Sequence, residues 1–152
     1  MDSARGAGGR DEVALWRQLT RLTEQVGSAA NRQLTRKHGV TTGELMVLLT
    51  LAEQRDGMLR MADLVEGSSA NQSSVSRMVA RLEEADWVTR MHCQQDKRGV
   101  NVGITEVGRR LAKEAEQTFK NALSSGLDKA ALDDRTASLV VRLRYAVPVE
   151  ID

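Results

Sequence analysis

Residues 71–105 read NQSSVSRMVARLEEADWVTRMHCQQDKRGVNVGIT, and this stretch decides the fold. Val75, Met78, Val79 and Leu82 recur at i, i+3, i+4 and i+7, so one stripe of a 3.6-residue period is apolar and must face a core. The opposite face carries Gln72, Ser73, Ser76, Arg77, Ala80 and Arg81, and no acid appears before Glu83 and Glu84. Asn71 suits the N-cap, because its side-chain oxygen can accept from the open amides of the first turn, which also favour an anion. Gln72, Ser73, Ser74 and Ser76 are short polar side chains able to approach base edges in a major groove. Taken alone, these residues equally fit an N-terminal turn that simply favours Ser and Asn.

A hairpin follows at once. Trp87-Val88-Thr89-Arg90-Met91 and Gly99-Val100-Asn101-Val102-Gly103-Ile104 are β-favouring runs around a polar turn, Cys93-Gln94-Gln95-Asp96-Lys97-Arg98. Such a hairpin projects from a core. It offers Lys97 and Arg98 at its tip and Arg90 on the approaching strand, a basic ribbon suited to phosphates or to a narrow minor groove. A basic tip by itself is as a rule a solvated turn. Its place directly after a groove-reading helix reverses that preference.

Five ordered pieces then carry a resemblance. They are Val40-Thr41-Thr42-Gly43-Glu44-Leu45 with Val47-Leu48; Leu59-Arg60-Met61-Ala62-Asp63-Leu64; Gln72-Ser73-Ser74-Val75-Ser76-Arg77; Arg81-Leu82-Glu83 with Trp87-Val88-Thr89-Arg90; and Asp96-Lys97-Arg98-Gly99 closing on Ile104-Thr105-Glu106-Val107-Gly108. The run 40–108 resembles the MarR (multiple antibiotic resistance regulator) family of winged-helix transcription factors. The resemblance implies that the serine-rich helix enters the major groove and that Arg98, in the Asp-x-Arg motif of the wing, reaches the minor groove. It also implies that Asp96 steadies wing arginines through charge-assisted bonds. Four positions depart from the pattern. Ser68 and Ala70 stand where apolar anchors are usual, which predicts a looser turn between the two helices of the helix-turn-helix. Val65 replaces a common alanine and adds bulk where those helices cross. Asp86 replaces the usual glycine at the end of the recognition helix, where Asp tolerates the left-handed conformation better than most residues.

The chain has 152 residues, one domain's worth, and 41% hydrophobic content is enough to bury a core. Aromatics are only 3%, so that core must be aliphatic. A net charge of +1 is not the strongly basic balance of a nonspecific nucleic-acid coat, so binding must rest on local distribution. Arg77, Arg81, Arg90, Lys97 and Arg98 gather on the expected DNA face. One cysteine cannot form an internal disulfide, and with no membrane-length apolar run or secretory segment a cytoplasmic location is expected.

Long amphipathic helices flank the reading unit. The first is expected over about 12–38, with Leu15, Leu19, Leu22, Val26 and Ala30 as its stripe. The second follows Thr41, which has capping-box spacing to Glu44, and buries Leu45, Leu48, Leu49 and Ala52. Met58-Leu59-Arg60 reads as a minimal strand able to pair with the wing. Thr105 caps a helix carrying Val107, Leu111, Ala115, Phe119 and Leu123, and a last helix over about 133–145 places Leu139, Val140 and Leu143 on one side. A compact winged helix does not need this much extra helix, so a homodimerisation layer about a two-fold axis is expected.

The predicted architecture is mainly α with a small β-hairpin wing. Residues 1–10 form a flexible tail and 11–152 a single domain. Within it, 40–108 is the winged helix-turn-helix core, and 11–39 and 109–147 are dimerisation helices. The expected function is a sequence-specific, DNA-binding regulator, a homodimeric repressor of a pseudo-palindromic operator. The DNA-contacting set is Asn71, Gln72, Ser73, Ser74, Ser76, Arg77, Arg81, Arg90, Lys97 and Arg98. The resemblance also implies a small organic effector, for which Trp16 would be a stacking wall with Arg60 or Met61 opposite. Cys93 has a cationic neighbourhood that would lower a thiol pKa and make it a redox candidate. No catalytic, metal or cofactor arrangement is visible, and no membrane partner is expected. The alternative is a winged-helix protein-interaction module without DNA binding. RNA is disfavoured, since the reading face lacks aromatic platforms for bases.

Overall fold

Thr41 starts the first helix of the reading unit, and its geometry follows the expected spacing. Its Oγ1 accepts from the Glu44 amide at 3.2 Å while Glu44 Oε2 accepts from the Thr41 amide at 2.8 Å, a reciprocal capping box. The computed structural model describes residues 11–92 and 99–145, which divide into two compact units. One is Ala30–Asn121; the other is made of residues up to Ala29 and those from Ala122 onward.

In the Ala30–Asn121 unit, the end of α1 (Glu12–His38) is followed by α2 (Thr42–Glu53), β1 (Met58–Arg60), α3 (Met61–Glu66), α4 (Gln72–Glu84), β2 (Val88–His92), β3 (Val100–Ile104) and the start of α5 (Glu106–Ala130). The strands form one antiparallel sheet in the order β1-β3-β2, with Met58 opposite Gly103 and Arg90 opposite Val102. The short strand therefore does pair with the wing. Val75, Val79 and Leu82 of α4 are buried among Leu48 and Leu51 of α2, Leu64 of α3, Val88, Val102 and Ala112. Each such Leu or Val contributes roughly 1.5–3 kcal/mol on burial, so the apolar stripe of α4 alone fixes which face looks outward. A second cluster joins Leu34 and Val40 to Leu45 and Ala115. That is why this unit extends beyond 40–108 at both ends.

The exit from α4 is built as the sequence suggested. Asp86 adopts φ 59°, the left-handed conformation that ends α4. Thr105 Oγ1 donates to the Asp86 carbonyl at 2.8 Å and accepts from the Gly108 amide at 2.9 Å, capping α5. Gly108 lies so close to the hairpin that a Cβ there would stand 2.1 Å from the Trp87 carbonyl oxygen. Because Gly108 takes this inward position, the neighbouring Val107, about 100° round the helix, is exposed rather than part of the buried stripe. The turn at Ser68 and Ala70 is tied locally: Ser68 Oγ accepts from the Ala70 amide at 3.0 Å, and Ala70 packs against the core. Val65 is also accommodated, half-buried against the same cluster.

The other unit contains residues 12–29 of α1, the end of α5 from Ala122, and α6 (Ala137–Tyr145). Leu22 and Val26 pack with Ala130, Leu139 and Val140. Gly126 permits close approach, since a Cβ there would meet Val26 Cγ1 at 3.0 Å. α6 begins at Ala137 rather than near Asp133, because the Asp133 carboxylate accepts from the Arg135 amide at 2.9 Å and holds a turn. Thr136 Oγ1 closes that turn on the Ala130 carbonyl at 2.7 Å. Arg144 ties α6 to α5 through Asp128 at 2.6 Å and the Ser124 carbonyl at 3.1 Å. Leu15, Leu19 and Leu143, expected on packed stripes, are exposed here, together with Trp16, Val141 and Tyr145.

Candidate nucleic-acid interface

The N-terminus of α4 is organised by one side chain. Asn71 Oδ1 accepts from the Ser74 amide at 2.9 Å and from the Ser73 hydroxyl at 2.8 Å. The carboxamide orientation is thereby set, and its nitrogen remains a donor. Gln72, Ser73, Arg77, Ala80 and Arg81 are exposed on the face opposite the core, while Ser74 and Ser76 are half-buried. With no acid in the first turn, this face suits an anionic, hydrogen-bonding partner.

Two of the arginines expected to face DNA are held by carboxylates. Arg81 Nη1 lies 3.1 Å from Glu44 Oε1, where the Glu44 side chain is 3% exposed and that of Arg81 61%. Arg90 Nε lies 3.3 Å from Glu83 Oε2, and Arg90 Nη2 donates to the Ser76 carbonyl at 3.3 Å. The Arg90 amide also donates to Glu83 Oε1 at 3.3 Å, so β2 is clamped to α4 at this point. Arg77 is exposed and has no ion-pair partner among the described residues.

Glu44 and Glu83 are the functional-site residues that reasoning from sequence passed over. The Thr41–Glu44 spacing signalled the cap, but a capping box engages only one carboxylate oxygen. The second oxygen, which meets Arg81, carried no local signal. Asp96, Lys97, Arg98 and Cys93, expected at the wing tip, lie outside the described residues.

Beside α4 opens a cavity of about 580 Å³, whose lining includes Arg60, Met61, Val65, Gln72, Ser76 and Arg90. Arg60 and Met61, expected at an effector site, are thus brought together with Gln72 and Ser76 of α4. Trp16, expected with them, belongs to the other unit and is 69% exposed. Among the described residues, no group of three or more His, Cys, Asp or Glu side chains could hold a metal ion. No helix of the described residues is long and apolar enough to cross a membrane.

Residues 40–100 match the sequence profile of the MarR family. The same chain aligns over 90% of its length with 89% of Sco3205, a MarR family transcriptional regulator from Streptomyces coelicolor solved in complex with DNA, at TM-score 0.73 and 27% identity. Over residues 40–100 the chain is similar to the MarR family, and its fold is that of MarR-family regulators. The chain is 32% identical over 72 residues to the HTH-type transcriptional repressor MdtR of Bacillus subtilis (strain 168), a match covering 47% of the chain and 45% of that relative. It therefore spans about half the length of that repressor. To the transcriptional repressor MprA of Escherichia coli (strain K12) it is 23% identical over 138 residues, covering 87% of the chain and 78% of the relative. The profile match runs from Val40, just before the α2 cap, to Val100 at the start of β3, the segment that carries the capping box, α4 and β2.

Proposed function

We propose that this chain is a sequence-specific, double-stranded-DNA-binding transcriptional regulator that acts as a homodimer and represses from a pseudo-palindromic operator. The observation that carries the reading is the outward face of α4. It presents Gln72, Ser73 and Arg77 without an acid in its first turn, beside a β-hairpin, in a segment that matches the MarR family profile. Gln72 and Ser73 address base edges, Arg77 addresses phosphate, and Arg98 of the wing tip addresses the minor groove. The relatives MdtR and MprA are named repressors, which supports that sign of regulation. The exposed Leu15, Trp16, Leu19, Val141 and Leu143 supply an apolar surface for a second copy. A small organic effector belongs to the proposal, received where Arg60 and Met61 adjoin Gln72 and Ser76 or against Trp16. A DNA-binding regulator of this kind would work in the cytoplasm, without enzymatic activity of its own.

The interaction-module alternative has less in its favour. A loose turn at Ser68 and Ala70 would favour it, but that turn is closed by a hydrogen bond and Ala70 packs on the core.

The test is recovery of the genomic DNA fragments that the purified protein retains, followed by titration of variants on a panel of mutated sites. Gln72→Ala should change sequence preference, while Arg77→Ala should weaken all sites to a similar degree. Retention of no fragment above random background would reject the regulator reading.

A further inference from the structure

The Glu44 carboxylate raises a question that the capping box does not answer. A box of this kind works with either Glu or Gln at its fourth position, because only one side-chain oxygen has to accept from the cap amide. Here Oε2 does that, accepting from Thr41 at 2.8 Å. A buried negative charge at the site is therefore superfluous for capping. It is accounted for by Oε1, which meets Arg81 of α4 at 3.1 Å. Arg81 sits one turn after Arg77 on the exposed face of the helix, where an arginine would otherwise be ready to take a phosphate.

We infer that Glu44 neutralises Arg81 and so withholds a sequence-independent phosphate contact from α4, which limits the electrostatic grip of the chain on any DNA. This rests on the DNA-binding reading above. The comparison of energies favours retention of the pair. A surface arginine gains little from one solvated phosphate contact, whereas leaving a desolvated carboxylate without its partner is strongly unfavourable. Arg90 follows the same pattern, held by Glu83 at 3.3 Å and by the Ser76 carbonyl. With both cations occupied, the described part of the reading face keeps Arg77 as its cation without an acid partner. Electrostatic attraction to any DNA is thereby reduced relative to base reading by Gln72 and Ser73. A phosphate contact forms on any sequence, so withholding it lowers affinity for site and random duplex alike and lessens the dependence of both on salt.

Full-length wild type, Glu44→Gln, Arg81→Ala and the double variant Glu44→Gln/Arg81→Ala are titrated with a retained genomic site and with random-sequence duplex over a salt series. Far-ultraviolet circular dichroism establishes that each is folded. Glu44→Gln keeps the cap and releases Arg81, so its log-affinity should fall with log-salt more steeply by about 0.9, and at low salt its affinities for the site and for random duplex should rise together several-fold. Arg81→Ala and the double variant should keep the wild-type slope. The double variant leaves no buried charge without a partner, so it serves if Arg81→Ala alone does not fold. A slope lowered by about 0.9 in either of these, or an unchanged slope in Glu44→Gln, overturns the inference while leaving DNA binding intact. Wild type that binds neither duplex overturns the DNA-binding reading itself, and the inference with it.

Discussion

The guanidinium of Arg81 and the carboxylate of Glu44 meet at 3.1 Å, joining the outward face of α4 to the N-cap of α2. The two partners are unequal. Arg81 is largely solvated and Glu44 is buried, so deleting one does not cost the same as deleting the other.

Arg81→Ala strands a buried carboxylate and should cost about 3 kcal/mol of folding stability. Glu44→Gln frees an arginine that is already in water and retains the cap acceptor, and should cost about 1 kcal/mol. Urea midpoints at matched m-values measure both. The reverse order would mean that Glu44 reaches solvent once Arg81 is gone.

Gly108 faces a backbone oxygen rather than a yielding side chain. In Gly108→Ala the new Cβ would stand 2.1 Å from the Trp87 carbonyl, so α5 must move away from the hairpin. A loss of about 3 kcal/mol is expected. A midpoint within error of wild type would show that this contact relaxes freely.

Asp86 holds φ 59° without the freedom of glycine. Asp86→Gly keeps the backbone carbonyl that accepts from Thr105 and removes the steric cost, so stability should rise by about 0.5 kcal/mol. A fall in the urea midpoint would assign the Asp86 side chain a contact that the fold requires.

The exposed apolar residues of α1 and α6 make oligomeric state a direct check on the proposed dimer. Sedimentation at micromolar concentration should give twice the 16.7 kDa chain mass. Leu19→Glu combined with Leu143→Glu should give a monomer, since each places a charge on a surface that a second copy would desolvate. A wild-type monomer at that concentration would remove the two-fold arrangement.

Half-site spacing joins that arrangement to the DNA. Two α4 helices related by a dyad can enter successive major grooves on one face only about 10 base pairs apart. Inserting about 5 base pairs between half-sites should abolish specific binding in a gel-shift titration, because one half-site rotates to the far side. Undiminished affinity would mean that the lobes bind independently.

What the sequence determined by itself was local. The spacing of Val75, Val79 and Leu82 set the buried face of α4, Thr41 with Glu44 set a cap, and Asp86 marked a helix end, each through neighbours within a few positions. The order of the pieces around α4 pointed to the fold for the same reason. Apolar stripes also named more core than one chain provides, since periodicity says that Leu15, Leu19 and Leu143 are apolar but not what covers them. Tertiary structure alone decided the charges. Whether an arginine on an exposed helix face is available or neutralised depends on which acid the packing of distant elements brings within reach. Glu44 reaches Arg81, and Glu83 reaches Arg90, only because α2 and β2 come to lie alongside α4.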